Sequence, residues 1–389
     1  MGKKKLTNRF WFQLHGWFSL PVWVLFCFIC ITGTLAVLSH ELTWLTNEHA
    51  RAVNPDNLPQ RSVDELVARF EAHYPSAHVT SVISREPYLV KVINFTDTDK
   101  PIAQAYVNQY TGEIQQIVTD MTFIDFMRAL HGWLLFPWQQ GYSIGYYLVS
   151  LMSILVLGAL VTGLMVYKKF WQSFTRPKFR TGQGSRTTLS DLHKLGGVWS
   201  IWFLAVMGIT GVWYLTQAIL WHTETEFEPH PEPIAIADVP LNNTESVRHY
   251  VDLKQALAMA KLTYPEFEPS FIAMPEHHRD TYKLAGSGGE VFYDQYSYMV
   301  AVNPWNADVE DSFSPQSMGT LQTFMHIADP LHFGTLGGIW TKIIWFIFGL
   351  ILSGMSITGF YMWYLRVIKK PTRNKAISTT ETTLQETLS

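Results

Sequence analysis

Charge is scarce in this sequence: Asp, Glu, Lys and Arg make up 16% of 389 residues, and four long stretches have none. No such residue falls between Arg9 and Glu41, Arg128 and Lys168, Lys194 and Glu224, or Lys342 and Arg366. A helix of about 20 apolar residues crosses a bilayer core, so each stretch is long enough to span. Cysteine is nearly absent, with only Cys27 and Cys30, which excludes a disulfide framework for the segments outside the membrane. The Cys-Phe-Ile-Cys spacing matches a redox pair only superficially. It falls mid-span, where thiolates are disfavoured, so packing is the expected role. No dinucleotide fingerprint follows a strand, and Gly286-Ser-Gly-Gly289 lacks the required helix. Phosphate loops, nucleophile elbows and His-Glu-x-x-His motifs are missing as well. Without a nicotinamide or flavin motif, any reductant must come from a separate carrier.

Charge sign then orients the chain. Lys3, Lys4, Lys5 and Arg9 flank the first stretch, the 168–194 loop carries seven Lys or Arg, and the tail from Arg366 carries five. These segments hold only three acids, Asp191, Glu381 and Glu386, whereas the other 29 lie in the two long segments between spans. Basic residues stay cytoplasmic, so both termini are expected inside and two acidic lobes outside. The first run is too long for a cleavable signal peptide. Nucleic-acid binding is not expected of acidic lobes.

What is present is a repeat. Leu14-His15-Gly16-Trp17 leads to Ile31-Thr32-Gly33, and Leu192-His193-Lys194-Leu195 leads to Ile209-Thr210-Gly211, with 18 residues from His to Gly in both. Leu130-His131 precedes Val161-Thr162-Gly163, and Leu331-His332 precedes Ile357-Thr358-Gly359. The intervening segments match too. Residues 62–74 and 251–264 have helical apolar spacing and end at Pro75 and Pro265. Short alternating runs follow: 79–84, 88–95 and 105–110 in the first half, and 282–285, 291–294 and 298–303 in the second.

The fold class expected is an α-helical membrane protein: four transmembrane helices in a duplicated arrangement with two α+β extracytoplasmic lobes. The boundaries read 1–40 for the cytoplasmic N-terminus and first span, 41–140 for lobe one, 141–169 for the second span and 170–194 for a cytoplasmic loop. The third span is then 195–222, lobe two 223–338, the fourth span 339–366 and the cytoplasmic tail 367–389.

Histidines at matching depths in a duplicated membrane protein suit haem held between helices, because two axial imidazoles make an electron-transfer centre. His15 and His193 are the inner candidates. As straight helix, His15 and His40 would be roughly 38 Å apart, placing His40 at the outer face with His131, His222, His326 and His332. Repeat logic pairs His131 with His332, whereas helix-depth logic pairs His40 with His222. The contrary reading for any one of these is an interfacial anchor beside tryptophan. The glycines after threonine either admit a flat macrocycle or let helices approach closely. His277-His278 and the acidic lobe residues read as solvated surface.

The histidine motifs, the four Thr-Gly pairs, Leu331–Gly338 and Thr358-Gly-Phe-Tyr-Met-Trp363 together resemble the PepSY-associated transmembrane helix family over nearly the whole chain. Gly16 and Lys194 stand where that family commonly has arginine. The resemblance, closest to haem-containing ferric-siderophore reductases, implies PepSY-like lobes and two b-type haems per chain. It further implies an inner-membrane enzyme passing electrons from a separate cytoplasmic or membrane donor, across the lipid bilayer, to Fe(III)-siderophore. Its alternative implication is a non-redox scaffold that binds or restrains a peptidase.

Overall fold

The computed structural model describes residues 7–167, 169–228, 230–240 and 250–368. Lys3, Lys4, Lys5, Lys168, His249 and the tail beyond residue 368, with its basic cluster, Glu381 and Glu386, lie outside the described residues.

The first uncharged stretch does not form one straight helix. α1 (Asn8–Ser19) is capped by Thr7, whose side chain accepts from the Phe10 amide. α2 (Trp23–Val37) follows after a bend of 66°. Pro21 falls in the break, and its missing N–H cannot continue the helical ladder. This corrects the straight-helix depth assigned to His15 and His40. Cys27 is buried and Cys30 partly buried in α2, both as free thiols. A short helix, α3 (Ser39–Thr46), leads away from α2 and carries His40.

Next come α4 (Val63–His73), β1 (His78–Ile83), β2 (Lys91–Asp97), β3 (Lys100–Val107) and β4 (Ile114–Val118). α5 (Phe123–Trp133), α6 (Ile144–Val166) and α7 (Phe170–Thr175) close the first half. The second half repeats this order with α8 (Ser185–Trp199), α9 (Ile201–His222), α10 (Leu253–Thr263), β5 (Glu268–Ala273), β6 (Tyr282–Ser287), β7 (Tyr298–Val302), β8 (Val309–Phe313), α11 (Thr320–Phe333) and α12 (Gly338–Val367). Among the described residues, three helices are long and apolar enough to cross a membrane, namely α6, α9 and α12. The bent pair α1–α2 counts as a fourth if it forms one span.

The strands form one antiparallel eight-stranded sheet, in the order β4-β3-β2-β1-β5-β6-β7-β8. The expectation of two separate lobes is corrected here, because β1 and β5 pair edge to edge across the two halves, with Val82 opposite Ile272. Pairing hides both exposed edges, which would otherwise offer unpaired backbone groups to other chains. A bulge between Val79 and Ser81 shifts the alternation of β1, so Val79 and Val82 are both buried although three apart. Val63, Leu66, Val67 and Phe70 of α4 and Leu253, Ala256 and Ala260 of α10 share one core with Phe95, Phe267 and Leu284. At about 1.5–3 kcal/mol per large buried side chain, this core stabilises the sheet as one unit. α10 starts with a capping box, Asp252 and Gln255 each bonding the other's backbone.

Two more readings change. Residues 291–294 form a turn, not a strand, and the turn brings Asp294 to His326. The lobe boundaries at 140 and 338 assign α5 and α11 to the lobes. Instead α5 packs on α2 and α6, and α11 on α9, so both belong to the helical layer. In that layer α6 packs on α9, α2 on α12, α1 on α6 and α8 on α12.

Candidate functional site

Four of the repeated histidines meet in two pairs. His15 of α1 and His193 of α8 have ring centroids 6.4 Å apart and planes at 85°. His131 of α5 and His332 of α11 have centroids 6.3 Å apart and planes at 31°. Each pair takes one histidine from each half of the chain, so neither half builds a pair alone.

Every one of these rings rests on a Thr-Gly pair. His15 Nδ1 is 3.0 Å from Thr162 Oγ1 and 3.0 Å from the Ala159 carbonyl. His131 Nδ1 is 3.3 Å from Thr32, His193 Nδ1 is 3.3 Å from Thr358, and His332 Nδ1 is 2.8 Å from Thr210. Gly33 and Gly359 make room for the ring itself, whereas a side chain at Gly163 would meet its ring only in ordinary contact. A Cβ added at Gly33 would stand 2.6 Å from His131 Cε1, one at Gly359 3.2 Å from His193 Cε1, and one at Gly163 3.5 Å from His15 Cε1. Gly211 differs, since its missing Cβ admits Ser153 of α6 at 2.7 Å, a helix-to-helix contact. The threonines were the part that sequence reasoning missed. Their signal was present, as the residue before each repeated glycine.

Depth is set by the helices that carry the threonines. Gly211 faces Ser153 across α6 and α9, and Thr34 faces Gly349 across α2 and α12. Counting residues from these contacts at about 1.5 Å each, the two pairs lie roughly 10 Å apart along the helices. Thr210 is twelve residues short of the end of α9. His131 and His332 form the pair nearer the sheet, where Thr32 lies five residues before the end of α2.

The remaining candidates are placed elsewhere. His40 Nδ1 is 3.4 Å from Glu86 Oε1, in an ionic cluster with Lys342 and Glu41. His222 lies by Tyr142 and Tyr147, with Nδ1 3.3 Å from the Tyr147 hydroxyl. The alternative pairing of His40 with His222 does not occur. His326 is buried between Asp294, at 2.9 Å, and Glu228, an ion-pair contact at 3.6 Å. Burial opposes its charge, but the hydrogen bonds and field of the two carboxylates outweigh that and raise its pKa to about 9. An imidazolium has no lone pair left for a metal. At the end of the bundle far from the sheet, Arg180 forms a bidentate pair with Asp191, at 2.8 and 2.9 Å. That contact anchors α8 two residues before His193.

Two imidazoles that face each other at this spacing can bind one metal from opposite sides. Among the described residues, no group of three or more His, Cys, Asp or Glu side chains can hold a metal ion. Each pair thus brings two imidazoles together with no third such side chain beside them among the described residues.

The class defined so far is a duplicated membrane protein whose halves share one sheet and two histidine pairs. More particularly, the chain belongs to the PepSY-associated TM region family, which matches residues 12–366. No curated protein matches the chain.

Proposed function

We propose that the two histidine pairs are the axial ligands of two b-type haems, and that the chain passes electrons across the cytoplasmic membrane to Fe(III)-siderophore. The carrying observation is the spacing of the rings. Metal–nitrogen bonds of about 2.0 Å on opposite sides of one metal set imidazole centroids roughly 6 Å apart, close to the 6.3 and 6.4 Å of the two pairs. Two imidazoles with no third side-chain ligand among the described residues would suit a metal that arrives already held by a cofactor. No Cys-x-x-Cys-His occurs, so attachment is non-covalent. Bound haem would supply one-electron chemistry, tuned by its axial ligands.

The chain's own residues do the rest. They position the ligands roughly 10 Å apart in depth, and apolar side chains such as Val156, Phe203, Leu204 and Leu352 fill the space between the helices. A separate donor on the inner side supplies one electron, and the ferric chelate outside accepts it. Fe(II) is held less well by the hard oxygen ligands of a siderophore, so iron is released. The purified protein is expected to be red, with a reducible low-spin spectrum and haem extractable by acidic solvent. Colourless protein from haem-replete cells defeats this reading and favours the peptidase-restraining scaffold.

The reading requires the sheet outside and both termini inside the cytoplasmic membrane. The distribution of Lys and Arg supports that orientation. Protease added to intact spheroplasts should reach the 41–125 and 224–329 segments. Cleavage confined to inverted vesicles reverses the topology.

A further inference from the structure

We propose that Thr32, Thr162, Thr210 and Thr358 are positioning residues that hold the proton of each paired imidazole on Nδ1 and turn its Nε2 lone pair toward the metal position. The inference rests on the haem reading for its consequence, but its geometry stands alone. A threonine hydroxyl has one proton to give. Here that proton is engaged within the helix. Thr32 donates to the Phe28 carbonyl at 3.0 Å, Thr162 to Gly158 at 2.6 Å, Thr210 to Val206 at 2.8 Å and Thr358 to Gly354 at 2.8 Å. The oxygen can then only accept from the histidine, so Nδ1 must carry the hydrogen. The Ala159 carbonyl beside His15 Nδ1 repeats the point, because a carbonyl never donates. A neutral imidazole protonated at Nδ1 has its lone pair at Nε2.

Such back-bonding is ordinary for a threonine in an apolar helix. What is not ordinary is that all four Thr-Gly pairs carry a histidine. Each seat lies within one half of the chain: Thr32 of α2 holds His131 of α5, Thr162 of α6 holds His15 of α1, Thr210 of α9 holds His332 of α11, and Thr358 of α12 holds His193 of α8. Each pair then forms between halves. The duplicated unit is therefore two seated histidines, and doubling it creates two complete ligand sets. An acceptor on the second ring nitrogen also makes the ligand more basic.

The test compares Thr210→Val and Thr358→Val with Thr210→Ser and Thr358→Ser in the full-length protein. Valine keeps the shape and loses the acceptor, whereas serine keeps it. Each valine variant should weaken haem retention at its own pair by about 10- to 100-fold, raise the midpoint potential there and shift that low-spin EPR signal. Serine should restore all three. The pairs are read separately because their ring angles differ, 85° against 31°. Valine variants with wild-type retention, potential and EPR overturn the proposal. Colourless wild-type protein counts against the haem reading alone, because solid-state 15N spectra of the imidazoles report the tautomer without haem. Nδ1–H at the four histidines then supports the seats, and Nε2–H overturns them.

Discussion

Replacing His193 with alanine is expected to leave a protein with one low-spin haem in place of two. His193 and His15 form a pair of their own, and the His131–His332 pair draws on different helices, α5 and α11. Loss of one axial imidazole removes that haem or converts it to a five-coordinate form, while the pair nearer the sheet keeps its spectrum. His15→Ala should behave alike. Electron entry from the inner side then stops, yet chemically reduced protein should still deliver electrons from the remaining centre to a ferric chelate. Haem stoichiometry and stopped-flow oxidation by a ferric siderophore measure both effects. His222→Ala is the control, since His222 lies beside Tyr142 and Tyr147 and belongs to neither pair, and it should retain two haems. If His15→Ala and His193→Ala both keep two low-spin haems and normal turnover, these histidines are interfacial anchors and the pairing carries no electrons.

The second large effect concerns Lys342, near the start of α12. Its side chain is only 4% exposed, and Nζ donates to Glu41 at 2.9 Å and to Glu86. The Tyr88 hydroxyl donates to Glu41 at 2.6 Å, so the cluster joins α12, α3 and the segment between β1 and β2. Lys342→Ala strands two partly buried carboxylates. Breaking a buried pair in this way costs about 3–5 kcal/mol, and a drop in Tm of about 4–6 °C follows for a chain of this size. Lys342→Met combined with Glu41→Gln and Glu86→Gln should recover much of it, because no charge is left unpaired.

The pH dependence has a definite sign. Burial favours the neutral acid of Glu86, but His40 and Lys342 outweigh it and hold the carboxyl at about 2. A depressed folded value stabilises the protein above the ordinary carboxylate range, near 4.3, and that contribution is lost as pH falls toward 2. In Lys342→Ala the depression shrinks, so acid unfolding should begin at higher pH. Melting curves in detergent between pH 3 and 8 check this. An unchanged Tm and acid midpoint would show that the cluster contributes nothing to stability.

The Thr-Gly repeats show both the reach and the limit of the sequence. Their spacing from the histidines announced a duplicated histidine chemistry. A linear pattern gives depth along a helix but not rotation about it or kinks in it, so it left His40–His222 competing with His131–His332. Pro21 was visible, yet only the folded chain turned it into a 66° bend that removes His40 from the line of His15. The turn at 291–294 alternates like a strand and was read as one. Its Asp294 instead reaches across to His326, a contact 32 residues away that local propensity does not encode.

The sequence by itself determined the uncharged stretches, the helices at 63–73 and 253–263, and the duplication. Those properties are local: hydrocarbon excludes charge, and apolar periodicity records which face of a helix is buried. Tertiary structure alone decided that the two halves share one sheet through β1 and β5, that His131 meets His332, and that each threonine serves a particular histidine. Such contacts join residues far apart in the chain. They depend on which faces pack together, and that choice is made by the whole core at once.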